Sequence, residues 1–212
     1  MIKIHGVNVS PFVRKVRVAL AEKGIEYDLV AANPFAPSDE FLRISPLKKI
    51  PVLQDGDVTL PDSSAIVAYL EKAYPTSPLY PSAAADYGQV LFYEEYADTL
   101  LYSTLGPIFV QRVVVPNLMN GTPDEKVIQA CLTKVPEVLS FVESLLGDGD
   151  WLVGDSFTVA DIAMTSPFVN FGYAGESVDA QRYPKLAAYV ARAHARPSFK
   201  ALIDEEKAAF GG

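Results

Sequence analysis

Ser10 stands at the start of a predicted helix, where a polar side chain can bind an anion. It precedes Pro11, and apolar residues then recur as far as Lys23, with Gly24 next. Serine at the N-cap, proline at the first helical position and glycine beyond the end are typical of helix boundaries. A hydroxyl there lies beside free main-chain N–H groups and the positive end of the helix dipole. Taken alone, however, a Ser-Pro helix start is usually just a cap.

Asp62 and Ser63 form a second polar pair at a predicted helix start. The helical pattern runs from there to Tyr74, and Pro75 follows. An acidic residue and a serine at a helix N-terminus suit a ligand that carries a carboxylate. The same pair is also typical of an ordinary capped helix.

Between these two helix starts, Lys49, Ile50 and Pro51 lead from a loop into a predicted strand. The bond before such a proline can be cis, but cis is a small minority of X–Pro bonds. An ordinary trans proline is therefore the general expectation, and none of the three segments identifies a function by itself.

The elements that must position these residues alternate between strand and helix over the first third of the chain. The predicted order is β-α-β-α-β-β-α. A helical crossover makes the first two strands parallel, and the last two strands form an antiparallel hairpin. The predicted bounds are 1–7, 10–23, 26–32, 38–45, 51–54, 58–60 and 62–74.

A change of composition predicts a second, all-helical domain. The proline-rich stretch after the first domain is typical of a linker. We therefore assign residues 1–76 to the first domain, 77–85 to the linker and 86–212 to the helical domain. Helices are predicted over 86–119, 123–146, 158–172, 184–194 and 197–208.

The helical domain also contains a predicted capping box. Thr158 is the expected N-cap and Asp161 the residue that reaches back to it, with Phe157 and Ile162 as the hydrophobic staple. This pattern indicates a structural role, so Asp161 is not counted among the active-site acids.

Composition excludes several classes of function. The net charge of −8 disfavours nucleic acid and anionic membranes, because both need a basic face. The single cysteine, Cys131, allows neither an internal disulfide nor a cysteine-based zinc site. His5 and His194 lack the spacing of metal ligands, so no metal is expected. Without a signal-peptide pattern or a membrane-spanning apolar run, we expect a cytoplasmic protein.

The order and spacing of these segments resemble the cytosolic glutathione transferases over nearly the whole chain. The Ser10-Pro11-Phe12 start is most similar to the serine-type members, which are bacterial- or plant-like. The resemblance implies a thioredoxin-like glutathione-binding domain, an all-α C-terminal domain, a homodimer, and glutathione as co-substrate.

The resemblance also implies a role for each candidate residue. Ser10 matches the residue that hydrogen-bonds the glutathione sulfur. Ile50, before a Pro51 that the family has in the cis form, matches the residue whose main chain pairs with the cysteinyl part. Lys49 matches a position that reaches the glycyl carboxylate.

The Asp62–Ser63 pair matches the residues that hold the γ-glutamyl group. Asp62 would face the α-ammonium, while Ser63 and the helix start would receive the α-carboxylate. The family often has Glu at the position of Asp62, so the reach here is one methylene shorter. Arg14 and Asn8 are auxiliary candidates: Arg14 either strengthens the field at the sulfur or is a solvated arginine, and Asn8 is a reserve donor.

The implied reaction is the addition of glutathione to hydrophobic electrophiles, or the reduction of organic hydroperoxides, in a detoxification role. A low-turnover carrier of hydrophobic ligands is the alternative. A protein thiolate near position 10 is absent, which disfavours glutaredoxin-like chemistry. The electrophile pocket is expected between the two domains, although core packing also explains each residue that we assign to it: Tyr96, Tyr102, Phe109 and Arg112.

Overall fold

Four short strands form one mixed sheet in the order β2-β1-β3-β4. A computed structural model describes the main chain of residues 1–210 and the side chains of residues 1–208. Strand β1 is parallel to β2, and β3 is antiparallel to β4, as predicted from the helical crossover and the hairpin. Strand β1 also pairs with β3, in antiparallel orientation. The strands are β1 (Ile2–Gly6), β2 (Tyr27–Ala31), β3 (Val52–Asp55) and β4 (Val58–Leu60).

Three helices complete the predicted β-α-β-α-β-β-α unit: α1 (Pro11–Glu22), α2 (Asp39–Ile44) and α3 (Ser63–Ala73). Each begins after a residue whose side chain accepts a hydrogen bond from the first turn, namely Ser10, Ser38 and Asp62. This arrangement confirms the thioredoxin-like fold that the sequence predicts. Its core is apolar and fully buried, and includes Ile4, Val13, Val16, Leu20, Leu53, Ile66 and Leu70.

The C-terminal helix α10 (Pro197–Phe210) belongs with this first unit, which comprises residues 1–80 together with this helix. The sequence-based division ended the first domain at residue 76 and gave every later helix to the second. The difference arises because α10 packs on α1 through polar pairs that are far apart in sequence. These pairs are Arg14–Glu206, Arg17–Glu205 and Glu22–Ser198.

The second unit, residues 81–196, is helical in its regular structure, as expected. Its first helix begins at Ala84, within the predicted linker. The single helix predicted over 86–119 is instead interrupted by two π-helical segments, Ala97–Leu101 and Val110–Val114. The residues that flank these segments have ordinary helical dihedral angles. The π-helical segments therefore need no special residue type, and the sequence pattern does not reveal them. The helices are α4 (Ala84–Tyr96), α5 (Tyr102–Phe109), α6 (Val115–Leu118), α7 (Glu125–Leu145), α8 (Val159–Tyr173) and α9 (Pro184–His194).

The predicted capping box is present at the start of α8. The Oδ2 of Asp161 accepts from the main-chain N–H of Thr158 at 2.8 Å, and its Oδ1 accepts from Leu152 N and the Tyr189 hydroxyl. Asp161 is fully buried, and this burial raises its pKa against the opposing effect of its hydrogen bonds. The structure therefore confirms a structural role for Asp161. None of the helices described within residues 1–210 has the length and apolarity needed to cross a membrane.

Candidate active site

Ser10 is the N-cap of α1, in extended conformation, and it is half-buried. Its Oγ accepts from the main-chain N–H of Val13 at 3.4 Å, a long and therefore weak hydrogen bond. Its own N–H donates to Val7 O at 3.1 Å, which fixes the turn that precedes the helix. Within residues 1–208 no group accepts the hydrogen of the Ser10 hydroxyl, so this hydrogen is available to an anion at the helix start.

Gly6, at the end of β1, allows the first turn of α1 to lie close to the strand. A Cβ on Gly6 would lie 2.5 Å from Cγ2 of Val13 and 3.6 Å from Cβ of Ile50. The first turn of α1 and the Ile50 loop therefore meet at this one glycine. Sequence reasoning missed Gly6, although a glycine within a strand pattern is a signal of close approach.

The Ile50–Pro51 peptide bond is cis, as the resemblance implies. Ile50 is half-buried and packs against a small apolar cluster of Ala32, Phe41 and Val52. Lys49 is exposed. The loop therefore presents the charged side chain of Lys49 next to a residue whose side chain is held in the core.

Asp62 caps α3 through its Oδ1, which accepts from Ala65 N at 2.9 Å, and its carboxylate is exposed. Ser63 occupies the first helical position and is 6% exposed. Its hydroxyl has no hydrogen-bond partner among the side and main chains that the structure describes. The start of α3 therefore combines an exposed negative charge and an uncommitted hydroxyl with the positive end of the helix dipole.

Lys15 connects α1 to the same end of α3. Its Nζ donates to Oγ of Ser64 at 2.9 Å, and the lysine is 1% exposed. The two helix starts that carry Ser10 and Asp62 are thus connected by a partly buried hydrogen bond. The three predicted segments, with Ser10, Lys49–Pro51 and Asp62–Ser63, all belong to the first unit.

Arg14 is not the solvated arginine that the sequence allowed. It is fully buried, and its guanidinium binds the carboxylate of Glu206 on α10 through two hydrogen bonds. Its charge is therefore largely neutralised within the first unit. Asn8 is half-buried in the turn between β1 and α1, and its role as a reserve donor stays a prediction.

The second-unit candidates are mostly committed to packing. Tyr96 is 9% exposed and its ring lies 4.7 Å from that of Phe141, while Phe109 is 5% exposed. Arg112 donates to Ala174 O and to the Glu176 carboxylate, which links the second π-helical segment to the end of α8. These contacts agree with the alternative that the sequence left open, namely core packing.

Tyr102 is half-buried, and burial raises the pKa of its hydroxyl. Its ring lies over Gly106, where a Cβ would approach within 2.6 Å of the ring. Of the four predicted pocket residues, Tyr102 and Arg112 are half-buried, whereas Tyr96 and Phe109 are buried.

Comparison with known proteins agrees with this geometry. The glutathione S-transferase N-terminal domain family matches residues 4–78, and the glutathione S-transferase C-terminal domain family matches residues 96–197. A glutathione S-transferase of Triticum aestivum is 30% identical over 206 residues, which cover 96% of this chain and 93% of the relative.

Solved structures show the same similarity. A glutathione S-transferase from Rhodospirillum rubrum is 31% identical, with a TM-score of 0.87, over 95% of this chain and 91% of that one. A structure of glutathione S-transferase-I bound with lactoylglutathione is 27% identical, with a TM-score of 0.84, over 96% and 98% of the two chains. The two domain matches and these relatives, which extend over nearly the full length, show that this chain belongs to the glutathione S-transferase family.

Proposed function

We propose that this protein binds glutathione on its first unit and uses Ser10 to hold the glutathione sulfur as a thiolate, which then attacks a hydrophobic electrophile. The observation that carries the proposal is the state of Ser10. This residue caps α1 through a weak hydrogen bond and keeps its hydroxyl hydrogen for another acceptor. The relative solved with lactoylglutathione as its ligand supports glutathione derivatives as the class of ligand.

The energies available at Ser10 are sufficient for this role. A free thiol has a pKa of about 8.5, and lowering it by two units requires about 2.7 kcal/mol in favour of the thiolate. A hydrogen bond from the Ser10 hydroxyl to the charged sulfur supplies about 1.5–3 kcal/mol. The N-terminus of α1 adds about 0.3–1 kcal/mol. Arg14 adds little to the stabilisation of the thiolate, because Glu206 neutralises its charge. Ser10 keeps its proton throughout and acts as a donor.

The start of α3 suits the γ-glutamyl end of glutathione. That end carries an ammonium and a carboxylate on the same carbon. The exposed Asp62 carboxylate provides the counter-charge for the ammonium, while the free hydroxyl of Ser63 and the helical N–H groups receive the carboxylate. Lys49, exposed beside Ile50, then faces the glycyl carboxylate at the other end of the tripeptide.

The test is the ultraviolet thiolate band of bound glutathione as a function of pH, compared between wild type and Ser10→Ala. We expect a band near neutrality in wild type and its loss in the variant. Ser38→Ala is the matched control, because Ser38 caps α2 by the same kind of bond, from Phe41 N at 3.1 Å. The control should keep the band.

Other outcomes separate the alternatives. Binding of glutathione without a thiolate band in wild type would favour the low-turnover carrier. Absence of glutathione binding would overturn the enzyme assignment. Assays with an organic hydroperoxide and with a chlorinated aromatic electrophile would divide peroxidase from transferase activity. A homodimer remains our expectation, and a sedimentation mass equal to one chain would contradict it.

A further inference from the structure

Ser45 is a buried serine whose side chain forms both main-chain hydrogen bonds of Lys49. Its Oγ donates to Lys49 O at 2.7 Å and accepts from Lys49 N at 3.1 Å, and the residue is fully buried. The main chain of Ser45 is fixed as well, because its N–H donates to Phe41 O at the end of α2. One serine thus connects the end of α2 to the residue that precedes Ile50.

Besides the Ser45 hydroxyl, one main-chain hydrogen bond holds this segment, from Lys48 N to Ser45 O at 3.0 Å. Residues 45–51 lie in neither a helix nor a strand. Pro46 and Pro51 carry no main-chain N–H, and Lys48 has φ of 57°, in the left-handed region. The Ser45 hydroxyl therefore fixes the point at which this loop leads into Ile50.

We propose that Ser45 is a positioning residue for glutathione, which sets the main chain of Lys49 and Ile50 without touching the tripeptide itself. The proposal rests on the proposed function, in which Ile50 pairs with the cysteinyl part and Lys49 faces the glycyl carboxylate. Ile50 is held on one side by the apolar cluster of Ala32, Phe41 and Val52. Ser45 holds it on the other side, through Lys49. Both supports are needed to place the main chain of Ile50.

The first test is steady-state kinetics of Ser45→Ala with glutathione and a fixed electrophile. Without the hydroxyl, the N–H and C=O of Lys49 lose their partners, and only the main-chain bond from Lys48 N to Ser45 O still holds the loop. We expect the KM for glutathione to rise about tenfold. A displaced loop weakens the hydrogen bonds between the main chain of the loop and glutathione, and the loss of one such bond lowers affinity by about tenfold at most. We expect kcat to stay within about twofold and the pKa of the bound thiol to stay unchanged, because Ser10 and α1 are untouched.

Two further variants separate positioning from a general loss of stability. Ser38→Ala removes an exposed cap at the other end of α2 and leaves Lys49 alone, so it should lower the Tm while keeping the KM for glutathione. Ser45→Thr keeps the hydroxyl and should restore most of the affinity. A wild-type KM in Ser45→Ala, or an equal rise of KM in Ser38→Ala, would overturn the proposal.

A second measurement applies even if Ser45→Ala does not fold. Ser45→Cys keeps the approximate volume but is a weak donor and acceptor. Hydrogen exchange at the Lys49 amide should be faster in this variant than in wild type, with or without glutathione. Unchanged exchange would overturn the role of Ser45. Failure of wild type to bind glutathione would instead overturn the proposed function, so the two failures are distinguishable.

Discussion

Arg14 on α1 and Glu206 on α10 form a buried bidentate ion pair, with Nε–Oε1 at 2.8 Å and Nη2–Oε2 at 2.5 Å. Both side chains are fully buried. The pair lies one helical turn from Ser10, so the C-terminal helix contributes to the environment of the proposed catalytic serine. Removal of one partner leaves a buried charge without its counter-charge.

We therefore expect Glu206→Ala to lower the free energy of unfolding by about 3–5 kcal/mol. Denaturant unfolding measures this change. Asp204→Ala is the control on the same helix, because the side chains of Asp204 and its partner Lys200 are both more than half exposed. The loss should be much smaller, since an exposed ion pair contributes little to stability. Equal losses in the two variants would show that burial does not set the strength of the Arg14 pair.

Asp62→Asn separates the two roles of Asp62. Asparagine caps a helix about as well as aspartate, so stability should change by less than about 0.5 kcal/mol. The negative charge is lost, however, and glutathione binding by calorimetry should weaken at least about tenfold, as expected when one partner of a charged hydrogen bond is lost. Unchanged affinity would mean that the γ-glutamyl group binds elsewhere.

Lys49→Met tests which end of glutathione lies at Lys49. The variant should bind glutathione about five- to tenfold more weakly, the effect of one lost charged contact. It should bind γ-glutamylcysteine, which lacks the glycyl carboxylate, as wild type does. Lys48→Met is the neighbouring control and should leave both ligands unaffected. A loss of equal size for the two ligands would rule out the glycyl assignment.

Gly6→Ala tests whether the close approach of β1 and α1 assembles the site. The new Cβ would lie 2.5 Å from Cγ2 of Val13, which is fully buried, so the first turn of α1 must move. We expect a loss of about 1–3 kcal/mol in stability and a higher KM for glutathione. Gly88→Ala, with nothing within 4 Å in helix α4, should instead stabilise by about 0.5–1 kcal/mol. Near-wild-type stability of Gly6→Ala would contradict the close approach.

Two tyrosine hydroxyls donate to the Asp55 carboxylate, from Tyr69 at 2.9 Å and from Tyr74 at 2.6 Å. The hydrogen bond to Asp55 raises the pKa of Tyr74 from 10.0 to about 12. Between these two values the unfolded chain loses the phenolic proton before the folded protein does. The stabilisation that the Tyr74–Asp55 hydrogen bond provides is therefore complete below pH 10 and is lost as pH rises towards 12. In Tyr74→Phe, unfolding at neutral pH should need less denaturant, and the alkaline fall in stability should be shallower. An alkaline fall as steep as in wild type would assign it to other groups.

Much of the fold was predictable because its signals are local. The caps Ser10, Ser38 and Asp62 each bond the first turn of their own helix, and the Thr158–Asp161 box joins residues three apart. Strand alternation and the β3–β4 turn at Gly56 are likewise contained in a few residues. The positions of the three candidate segments follow from the same local signals, but the role of each residue rests on the family resemblance and stays a prediction.

The remaining features depend on residues that only the folded chain brings together. Sequence allowed a solvated Arg14, but α10 buries it against Glu206, 192 positions away. Nothing in the residues around Ser45 marks it, because a serine before a proline is typical of many loops and its effect depends on how α2 meets Lys49. The sequence by itself therefore determined where the elements of the first unit begin and end, through short-range capping and periodicity, but not the interruptions within 86–119. The tertiary structure decided which buried polar groups pair, because burial and counter-charge are properties of packed elements.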